Sequence, residues 1–308
     1  MSIGIVMLGD VVGAPGRFAV AQQLPAIRER WAVDLVIANA ENAAAGSGLT
    51  PELYRKLCDA GVDGITLGDH AYRKKQIVAT LEQQANIIVA ANLPAEASGK
   101  RWMRLRAASG GRNVYVLTLM GRLFMNLPVD HPFTVVDELL ASLPEREAIV
   151  IVEVHAEATS EKQALAWYLS GRVAAVLGTH THVPTADARL LPESIAGVGR
   201  VGAGVHGGGS EGGRGGSGGG GGARGGAGGT AYITDLGMCG PYDSVLGRRV
   251  DRVITHMSTA MPSPFDVAEG NPRVCGIYLQ IDETSGLTVA CEPFNIPADM
   301  NRPPFVTG

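Results

Sequence analysis

Short apolar runs alternate with amphipathic segments through the first 190 residues of the chain. The apolar runs predict buried strands at Ile3–Asp10, Leu35–Asn42, Gly64–His70, Ile149–His155 and Ala174–His182. Between them, helical spacing of apolar residues predicts helices at Arg17–Trp31, Pro51–Ala60, Lys75–Gln84 and Thr159–Leu169. This alternation predicts an α/β fold with a largely parallel sheet that helices cover on both faces.

The pattern changes after residue 190. Residues 193–229 contain 20 of the 42 glycines in the chain, and they offer little apolar area to offset the entropy of ordering the backbone. We therefore expect a disordered, flexible glycine-rich insertion within a single domain that spans residues 1–308. A strand pattern resumes at Thr230, and Arg273–Ile281 and Leu287–Phe294 predict an antiparallel addition to the sheet.

Composition and charge narrow the class of protein. The formal net charge is −4 and no run is rich in lysine or arginine, which argues against an electrostatic nucleic-acid binder; RNA ends are the exception that stays open. The arginines of the glycine-rich segment have no aromatic neighbours for stacking, so an RNA-binding tail is the weaker alternative to an inert loop. His206 in the same segment is predicted to be solvated.

Two further features of the sequence concern the cellular location of the protein. No stretch approaches the roughly 20 uninterrupted apolar residues of a membrane span, and the N-terminus has no basic leader. The four cysteines are widely spaced without a C-x-x-C pair, which favours reduced, mostly buried thiols over disulfides. We expect a soluble cytoplasmic protein without a membrane partner; its oligomeric state is open, a homo-oligomer included.

Side chains that can bind a metal ion occur at the carboxyl ends of the predicted strands. Loops from several strands converge at this edge of an open α/β sheet. The side chains are Asp10, Glu41, Asn42, Asp69, His70, His155, His180 and His182. Carboxylates and imidazoles together fit two divalent cations about 3.5–4 Å apart, and this mixture favours Fe, Mn, Zn or Ni over calcium. The pattern therefore predicts a two-metal hydrolase.

The pair His180 and His182 is the most specific part of this pattern. Residues two apart face the same way in an extended segment, and a glycine at 178 would let the backbone approach the ions. Each acid or histidine also has an ordinary interpretation, as a turn residue, an N-cap or a hydrogen-bonded core histidine. The co-location of so many of them favours the metal site. His131 and His256 lack this setting and are predicted to be structural.

The glycines after the first strand raise a nucleotide-binding alternative. Gly9, Gly13 and Gly16 follow the first strand and Glu41 the second, as in a dinucleotide-binding unit. However, residue 11 is valine where the G-x-G-x-x-G pattern requires glycine, and no G-K-[ST] follows for a P-loop. Both dinucleotide and P-loop sites are therefore disfavoured.

Six motifs in this chain resemble, in order, those of the YmdB-like metallophosphoesterases of the calcineurin-like superfamily. They are GDVVGAPGR (9–17), NAENAAAGSGLT (39–50), GDH (68–70), HAEATSEK (155–162), GTHTHVPTAD (178–187) and TAYITDLGMCGPYDSVLG (230–247). The resemblance covers nearly the whole chain outside the glycine-rich segment. It implies a four-layer α/β/β/α sandwich, a binuclear iron or manganese centre, and phosphodiesterase action on 2′,3′-cyclic nucleotides.

The resemblance also implies a role for each residue of the site. The first metal would be bound by Asp10 and His182, and Glu41 would bridge both ions. The second metal would be bound by Asn42, Asp69, His155 and His180. A metal-bridged hydroxide would attack phosphorus in line, with His70 as the general acid for the departing sugar oxygen. Arg122 lies in a GRLF segment that matches the family near its cap, and it has no assigned role.

One position departs from the family pattern, which reads G-N-H where this chain reads Gly68-Asp69-His70. Two divalent ions with Asp10, Glu41, Asp69 and a hydroxide sum to a formal charge of about zero, whereas Asn at 69 would leave about +1. We hypothesise that Asp69 holds the metals more firmly and disfavours doubly charged monoesters. Two alternatives stay open: a phosphomonoesterase or nucleotidase on the same centre, and a metal-bound regulatory protein with little turnover.

Overall fold

A computed structural model of the chain describes residues 1–107, 110–145, 148–192 and 228–300. The strands, in chain order, are β1 (Ser2–Leu8), β2 (Asp10–Val11), β3 (Leu35–Asn39), β4 (Gly64–Thr66), β5 (Ile87–Ile88), β6 (Trp102–Leu105), β7 (Val114–Met120), β8 (Ile149–His155), β9 (Ala175–Thr179), β10 (Arg189–Leu191), β11 (Thr230–Ile233), β12 (Met238–Pro241), β13 (Pro272–Asp282) and β14 (Thr288–Pro297). The helices are α1 (Gly13–Trp31), α2 (Pro51–Asp59), α3 (Val78–Gln83), α4 (Pro132–Ser142), α5 (Thr159–Leu169) and α6 (Val250–Thr259), and a 3₁₀ turn (Lys75–Ile77) precedes α3.

These strands form two sheets within the described ranges. The first has the order β2-β12-β13-β1-β3-β4-β5, with β14 also paired to β13. In it β1, β3, β4 and β5 run parallel, and β13 is antiparallel to β1. The second has the order β10-β11-β9-β8-β7-β6, with four parallel strands at its centre and an antiparallel strand at each edge. Parallel strands align their carboxyl ends, so each sheet directs several loops to one edge.

Alternation along β1 shows how the core is divided. Ile5 and Met7 belong to a buried cluster that also contains side chains of the second sheet, such as Ile151. Val6 and Leu8 belong to another cluster with α1 and α2 side chains. A third cluster joins the second sheet to residues of α4 and α5. Successive side chains on a strand point to opposite faces, so the apolar run of β1 serves two cores at once.

The predicted α/β class is confirmed, but the prediction of one sheet covered by helices on both faces is wrong, because two sheets share a buried core between them. Several elements match closely. Thr159–Leu169 is helical as predicted, and β13 and β14 are antiparallel partners. The helix predicted at Arg17–Trp31 begins earlier, at Gly13, because Pro15 is tolerated in a first helical turn. Helices α4 and α6 and the edge strands β6 and β10 were not predicted.

Four of the predicted strands are too long at their carboxyl ends. The ladders end at Leu8, Asn39, Thr66 and Thr179. The apolar pattern continues beyond the ladders because the loops are themselves buried: Ala40 and Leu67 have no exposed surface. The polar residues of interest therefore lie mainly in tight turns that follow the strands.

The remaining predictions have mixed outcomes. The glycine-rich segment predicted to be flexible, with His206, lies outside the described residues except for 228 and 229. None of the four cysteines is in a disulfide; Cys239 and Cys275 are buried, but Cys58 and Cys291 are partly exposed. Among the described helices, none combines the length and apolar character that crossing a bilayer requires.

Candidate metal centre

The predicted site residues converge on one place, although they come from both sheets. Asp10 begins β2, and His155 is the last residue of β8. The others follow the carboxyl ends of β3, β4 and β9, and they are Glu41, Asn42, Asp69, His70, His180 and His182. The convergence arises because the two sheets pack against each other with the carboxyl ends of these strands at a common edge.

Four of these residues form a tight group. Glu41, Asp69, His155 and His180 each offer a ligand atom within 4.8 Å of the others. His155 Nε2 lies 3.2 Å from Glu41 Oε1 and 3.1 Å from Asp69 Oδ1. His180 Nδ1 lies 3.1 Å from the same imidazole nitrogen. The fully buried His155 is therefore the centre of the group.

Asp10, Asn42 and His182 extend the group on one side. His182 Nε2 lies 3.7 Å from Asp10 Oδ1, and the His180 backbone N–H donates to Asp10 Oδ2 at 3.1 Å. The Asn42 side-chain nitrogen lies 3.2 Å from His182 Nε2 and 3.4 Å from Asp10 Oδ1. Its oxygen faces His70 instead, at 2.9 Å from Nδ1. Ligation through the Asn42 oxygen, as predicted, requires the amide to turn about χ2.

The local geometry of the H-x-H segment differs from the prediction. His180 and His182 have φ angles of 91° and 63°, so the segment is not extended. Both side chains still reach the group, because the chain turns back after β9 rather than continuing as a strand. Gly178 is also required for packing, because a Cβ there would overlap the backbone carbonyl of Thr234. Positive φ in two non-glycine residues is the kind of strain that clusters at functional sites.

His70 stands at the rim of the group. Its Nδ1 donates to the Asn42 oxygen at 2.9 Å, and its Nε2 lies 3.4 Å from Asp69 Oδ2. The side chain is 26% exposed, whereas His155 is fully buried. His70 can therefore meet a ligand from solvent while its orientation is fixed from behind. His131 and His256 lie at the start of α4 and within α6, outside the group.

A buried acid that the sequence prediction missed orients His155. Glu153 lies two residues earlier on β8 and accepts hydrogen bonds from Thr179 and Asn39, both at 2.7 Å. The single hydroxyl proton of Thr179 is donated to Glu153, so Thr179 accepts from His155 Nδ1 at 2.9 Å. This arrangement leaves His155 Nε2 directed at the carboxylates, in the manner of residues that support a metal ligand from behind.

A second buried pair fixes the loop that carries the H-x-H segment. Lys162 and Asp235 have no exposed surface and form an ion pair of 2.8 Å. Asp235 also accepts hydrogen bonds from the Thr181 backbone N–H at 3.2 Å and its hydroxyl at 2.7 Å. Lys162 and Asp235 occur in the motifs at 155–162 and 230–247, but sequence alone does not show that they meet.

Gly68 allows the close approach of the two sheets at the site. A Cβ at this position would overlap the His155 imidazole. The Gly68 backbone N–H donates to Glu41 Oε2 at 2.7 Å. A glycine is therefore required to let the β4 turn lie against the histidine and hold the carboxylate.

The charges of the group act strongly on one another. Burial raises the pKa of Asp10 to about 7, against the opposing effect of His155. Burial also acts to raise the pKa of Glu41 and Asp69, but the charge and hydrogen bonds of His155 outweigh it, and both pKa values lie below their usual range. Burial acts to lower the pKa of His155, yet Glu41 and Asp69 raise it well above the ordinary value. The pKa of His182 is lowered by burial.

The donor set fits metal ions of the predicted kind. It combines carboxylates with imidazoles, which suits iron, manganese or zinc. His182 Nδ1 lies 3.1 Å from the Leu246 carbonyl, so it donates there and leaves Nε2 for a metal. His155 Nε2 faces the carboxylates of Glu41 and Asp69, so it would be available to a metal ion once it is deprotonated. The pKa pattern therefore favours exchange of protons for a metal ion.

We expect metal binding to release protons and to weaken as the pH falls. Protons on Asp10, whose pKa is about 7, and on His155, whose pKa is raised well above its ordinary value, compete with the metal. Below about pH 7 the apparent affinity for Mn²⁺ should fall by about tenfold or more per pH unit. Calorimetric titration of chelator-stripped protein with Mn²⁺ at pH 8, 7 and 6, in buffers of different ionisation enthalpy, measures the metal affinity and the number of protons released. Equal affinity at the three pH values, without proton release, would contradict this pKa assignment.

Thr179→Val removes the hydroxyl between Glu153 and His155. We expect metal affinity to fall by about 10- to 100-fold, because the imidazole loses the partner that fixes its ring. Thr288→Val is the matched control: Thr288 is also buried, and its hydroxyl bonds Ala174 next to the start of β9, away from the group. Affinity is measured by competition with a metallochromic chelator. A similar loss in both variants would show that the effect is general to the fold.

Comparisons with known proteins show which family the chain belongs to. The YmdB-like protein family matches residues 6–210 and 224–294. A Bacillus subtilis (strain 168) protein named 2′,3′-cyclic-nucleotide 2′-phosphodiesterase is 38% identical over 96% of this chain and 97% of its own. The crystal structure of a hypothetical protein from Thermus thermophilus has a TM-score of 0.79 and 39% identity, covering 96% of this chain and 100% of that one.

A further structure, described as a novel phosphatase from Mycoplasma pneumoniae, has a TM-score of 0.79 and 28% identity, covering 98% of this chain and 96% of that one. Each relative and structure matches over nearly the full length of both chains. The family match includes all six motifs and leaves out residues 211–223 of the glycine-rich segment. The chain therefore belongs to the YmdB-like family.

Proposed function

We propose that this protein is a two-metal phosphodiesterase that hydrolyses 2′,3′-cyclic nucleotides. The observation that carries the proposal is the convergence of carboxylates and imidazoles from five strand ends beside a partly exposed histidine, His70. The family's relatives named as a phosphodiesterase and a phosphatase support the enzyme class, a phosphoric ester hydrolase. The cyclic diester as substrate comes from the Bacillus subtilis relative.

The proposed ligand assignment follows the grouping of side chains. Asp10 and His182 would hold one ion, and Glu41 lies between the two halves of the group. The ligands of the other ion would be Asn42, Asp69, His155 and His180. When bound, two divalent ions supply a nucleophile of lowered pKa and positive charge opposite the phosphoryl oxygens. We propose iron for both sites, with manganese as the alternative.

His70 is the proposed general acid. Its Nδ1–H is engaged by Asn42, so Nε2 is the nitrogen free to hand a proton to the leaving sugar oxygen. Asp69 Oδ2 lies 3.4 Å from Nε2 and would help to orient the ring. Protonating a poor alkoxide leaving group in the transition state is worth about 10²- to 10⁴-fold in rate.

The architecture and setting are proposed with the activity. Three buried clusters, one of them between the two sheets, support the four-layer α/β/β/α order. We also keep the prediction of one domain over residues 1–308 and of a cytoplasmic location. A small phosphodiester is the proposed partner.

The Bacillus subtilis relative and the proposed site together define the first experiment. Protein purified without chelator is analysed for bound metals and assayed on adenosine 2′,3′-cyclic phosphate, with and without chelator. We expect turnover to a 3′-nucleotide, because cleavage of the 2′ ester leaves the phosphate on O3′. Loss on chelation and recovery on re-addition of metal would support the proposal. Metal-loaded protein without turnover would favour the regulatory alternative.

His70→Ala should keep its metals and lose activity according to the leaving group. We expect a loss of about 10²- to 10⁴-fold on the cyclic nucleotide and a much smaller loss on bis(4-nitrophenyl) phosphate, whose phenolate needs little protonation. His131→Ala, at an exposed histidine outside the site, is the matched control. Metal content and kcat on both substrates are measured for each variant. An equal loss on the two substrates would argue against the role of acid.

Asp69→Asn tests the charge hypothesis and the monoesterase alternative. Removing one negative charge from the centre should lower metal affinity and raise the monoester-to-diester ratio of kcat/KM, since a doubly charged monoester gains more from the added positive charge. Asp59→Asn makes the same charge change at an exposed position at the end of α2. Metal content and both kcat/KM values are compared with those of the native protein. Unchanged values in Asp69→Asn would refute the hypothesis.

A further inference from the structure

The loop between β7 and α4 is held in one conformation by a buried side chain. We call this segment, Gly121–Val129, the β7–α4 loop. Asn92 is 1% exposed, and its side-chain nitrogen donates to the carbonyls of Met120 at 2.9 Å and Asp130 at 3.0 Å. Its side-chain oxygen accepts from the Met120 N–H at 2.8 Å. One amide therefore fixes both ends of the loop, as in compact surface loops that are frequently functional.

The start of the β7–α4 loop lies directly beside the metal centre. Met120 is the register partner of His155 in the pairing of β7 with β8, and the Gly121 N–H donates to the His155 carbonyl at 3.0 Å. The Glu161 carboxylate accepts the backbone N–H groups of Arg122 at 2.9 Å and Leu123 at 3.1 Å. These contacts hold the turn Arg122–Met125 beside the end of β8 and the first turn of α5.

The tip of this turn presents an aromatic side chain to solvent. Phe124 is 83% exposed and has a φ angle of 62°, and its neighbour Leu123 is 50% exposed. Positive φ is a genuine outlier for a bulky residue and strains the backbone, while so exposed a ring gains little from packing. Phe124 also has no ring contact with another aromatic side chain in the described part of the chain. The fold itself gives no reason for an aromatic residue here.

We propose that Phe124 is the platform on which the base of the nucleotide substrate stacks. Adjacent strands are about 5 Å apart, so Gly121 lies next to the chain that follows His155. Phe124 is three residues further, within a reach of about 10 Å. A nucleotide bound by its phosphate at the candidate metal centre would extend its base across the ribose, over a comparable span. The inference rests on the proposed function and adds the subsite for the nucleobase.

Stacking on a single aromatic ring predicts how the protein discriminates between bases. Every base has a flat π face, so a single aromatic platform accepts all four bases and favours the larger purines through stacking area. It also acts on binding of the substrate rather than on the phosphoryl chemistry. The effect of Phe124 should therefore appear in KM, depend on the presence of a base, and be absent for a substrate without one.

The test compares adenosine 2′,3′-cyclic phosphate with ribose 2′,3′-cyclic phosphate, which has the same reacting group and no base. In Phe124→Ala we expect KM for the nucleotide to rise by about 5- to 100-fold at similar kcat, with little change for the ribose compound. Phe124→Trp should have a KM close to that of the native protein, whereas Phe124→Leu should have a raised KM, as Phe124→Ala does. Met257→Ala, at a similarly exposed residue of α6, is the matched control and should leave both KM values unchanged.

Several outcomes would overturn the subsite. Equal changes on both substrates, or full restoration by Phe124→Leu, would exclude stacking on a base. A changed molar mass of Phe124→Ala in light scattering, with KM unchanged, would assign the loop to self-association. Native protein that turns over bis(4-nitrophenyl) phosphate but neither cyclic phosphate would overturn the proposed function, and the subsite with it.

Discussion

Three carboxylates, two of them buried, lie close to one buried imidazole, and the rest of the site depends on this arrangement. Asp10, Glu41 and Asp69 would repel one another strongly at these distances if nothing compensated their charge. Glu41 and Asp69 raise the pKa of His155 well above its ordinary value. The imidazole therefore carries a positive charge that offsets part of the repulsion between the carboxylates. The same arrangement is what divalent cations require. The chain thus maintains a costly concentration of negative charge whose natural counterpart is a metal ion.

Buried residues that are not themselves candidate ligands hold the candidate ligands in place. Glu153 and Thr179 orient the central imidazole, and the ion pair of Lys162 with Asp235 fixes the loop that follows β9. Glu153 and Thr179 lie in strands and Lys162 lies in α5, whereas most of the candidate ligands lie in turns at the strand ends. A rigid scaffold with functional turns at one edge is the common solution of α/β folds. The β7–α4 loop, fixed by Asn92, belongs to the same edge.

Much of this could be predicted from the sequence because strand, turn and polar residue occur in a fixed local order. The apolar run Ile149–Val154 predicts a strand, and the histidine after it must lie at the strand's end. The H-x-H pair could be recognised, but its backbone could not, because the positive φ angles of His180 and His182 arise from contacts with distant segments. The orientation of Asn42 likewise depends on His70 and His182, which lie 28 and 140 residues away.

Residues that act by positioning other residues were the hardest to predict from the sequence. Glu153 lies in the same apolar strand as His155, yet its importance depends on Thr179 and Asn39 from two other strands. Asn92 and Phe124 belong to no motif with a recognised mechanism, and only the position of the loop next to His155 gives them significance. Pairing across the sheets is a property of the folded chain, and local pattern does not contain it.

Anomalous diffraction from crystals of protein purified without chelator tests the central claim most directly. Data collected on both sides of the iron and manganese absorption edges locate and identify the ions. Two peaks about 3.5–4 Å apart, with Glu41 between them and His155 and His182 on opposite sides, are expected. A single peak, or metal sites away from these side chains, would contradict the account.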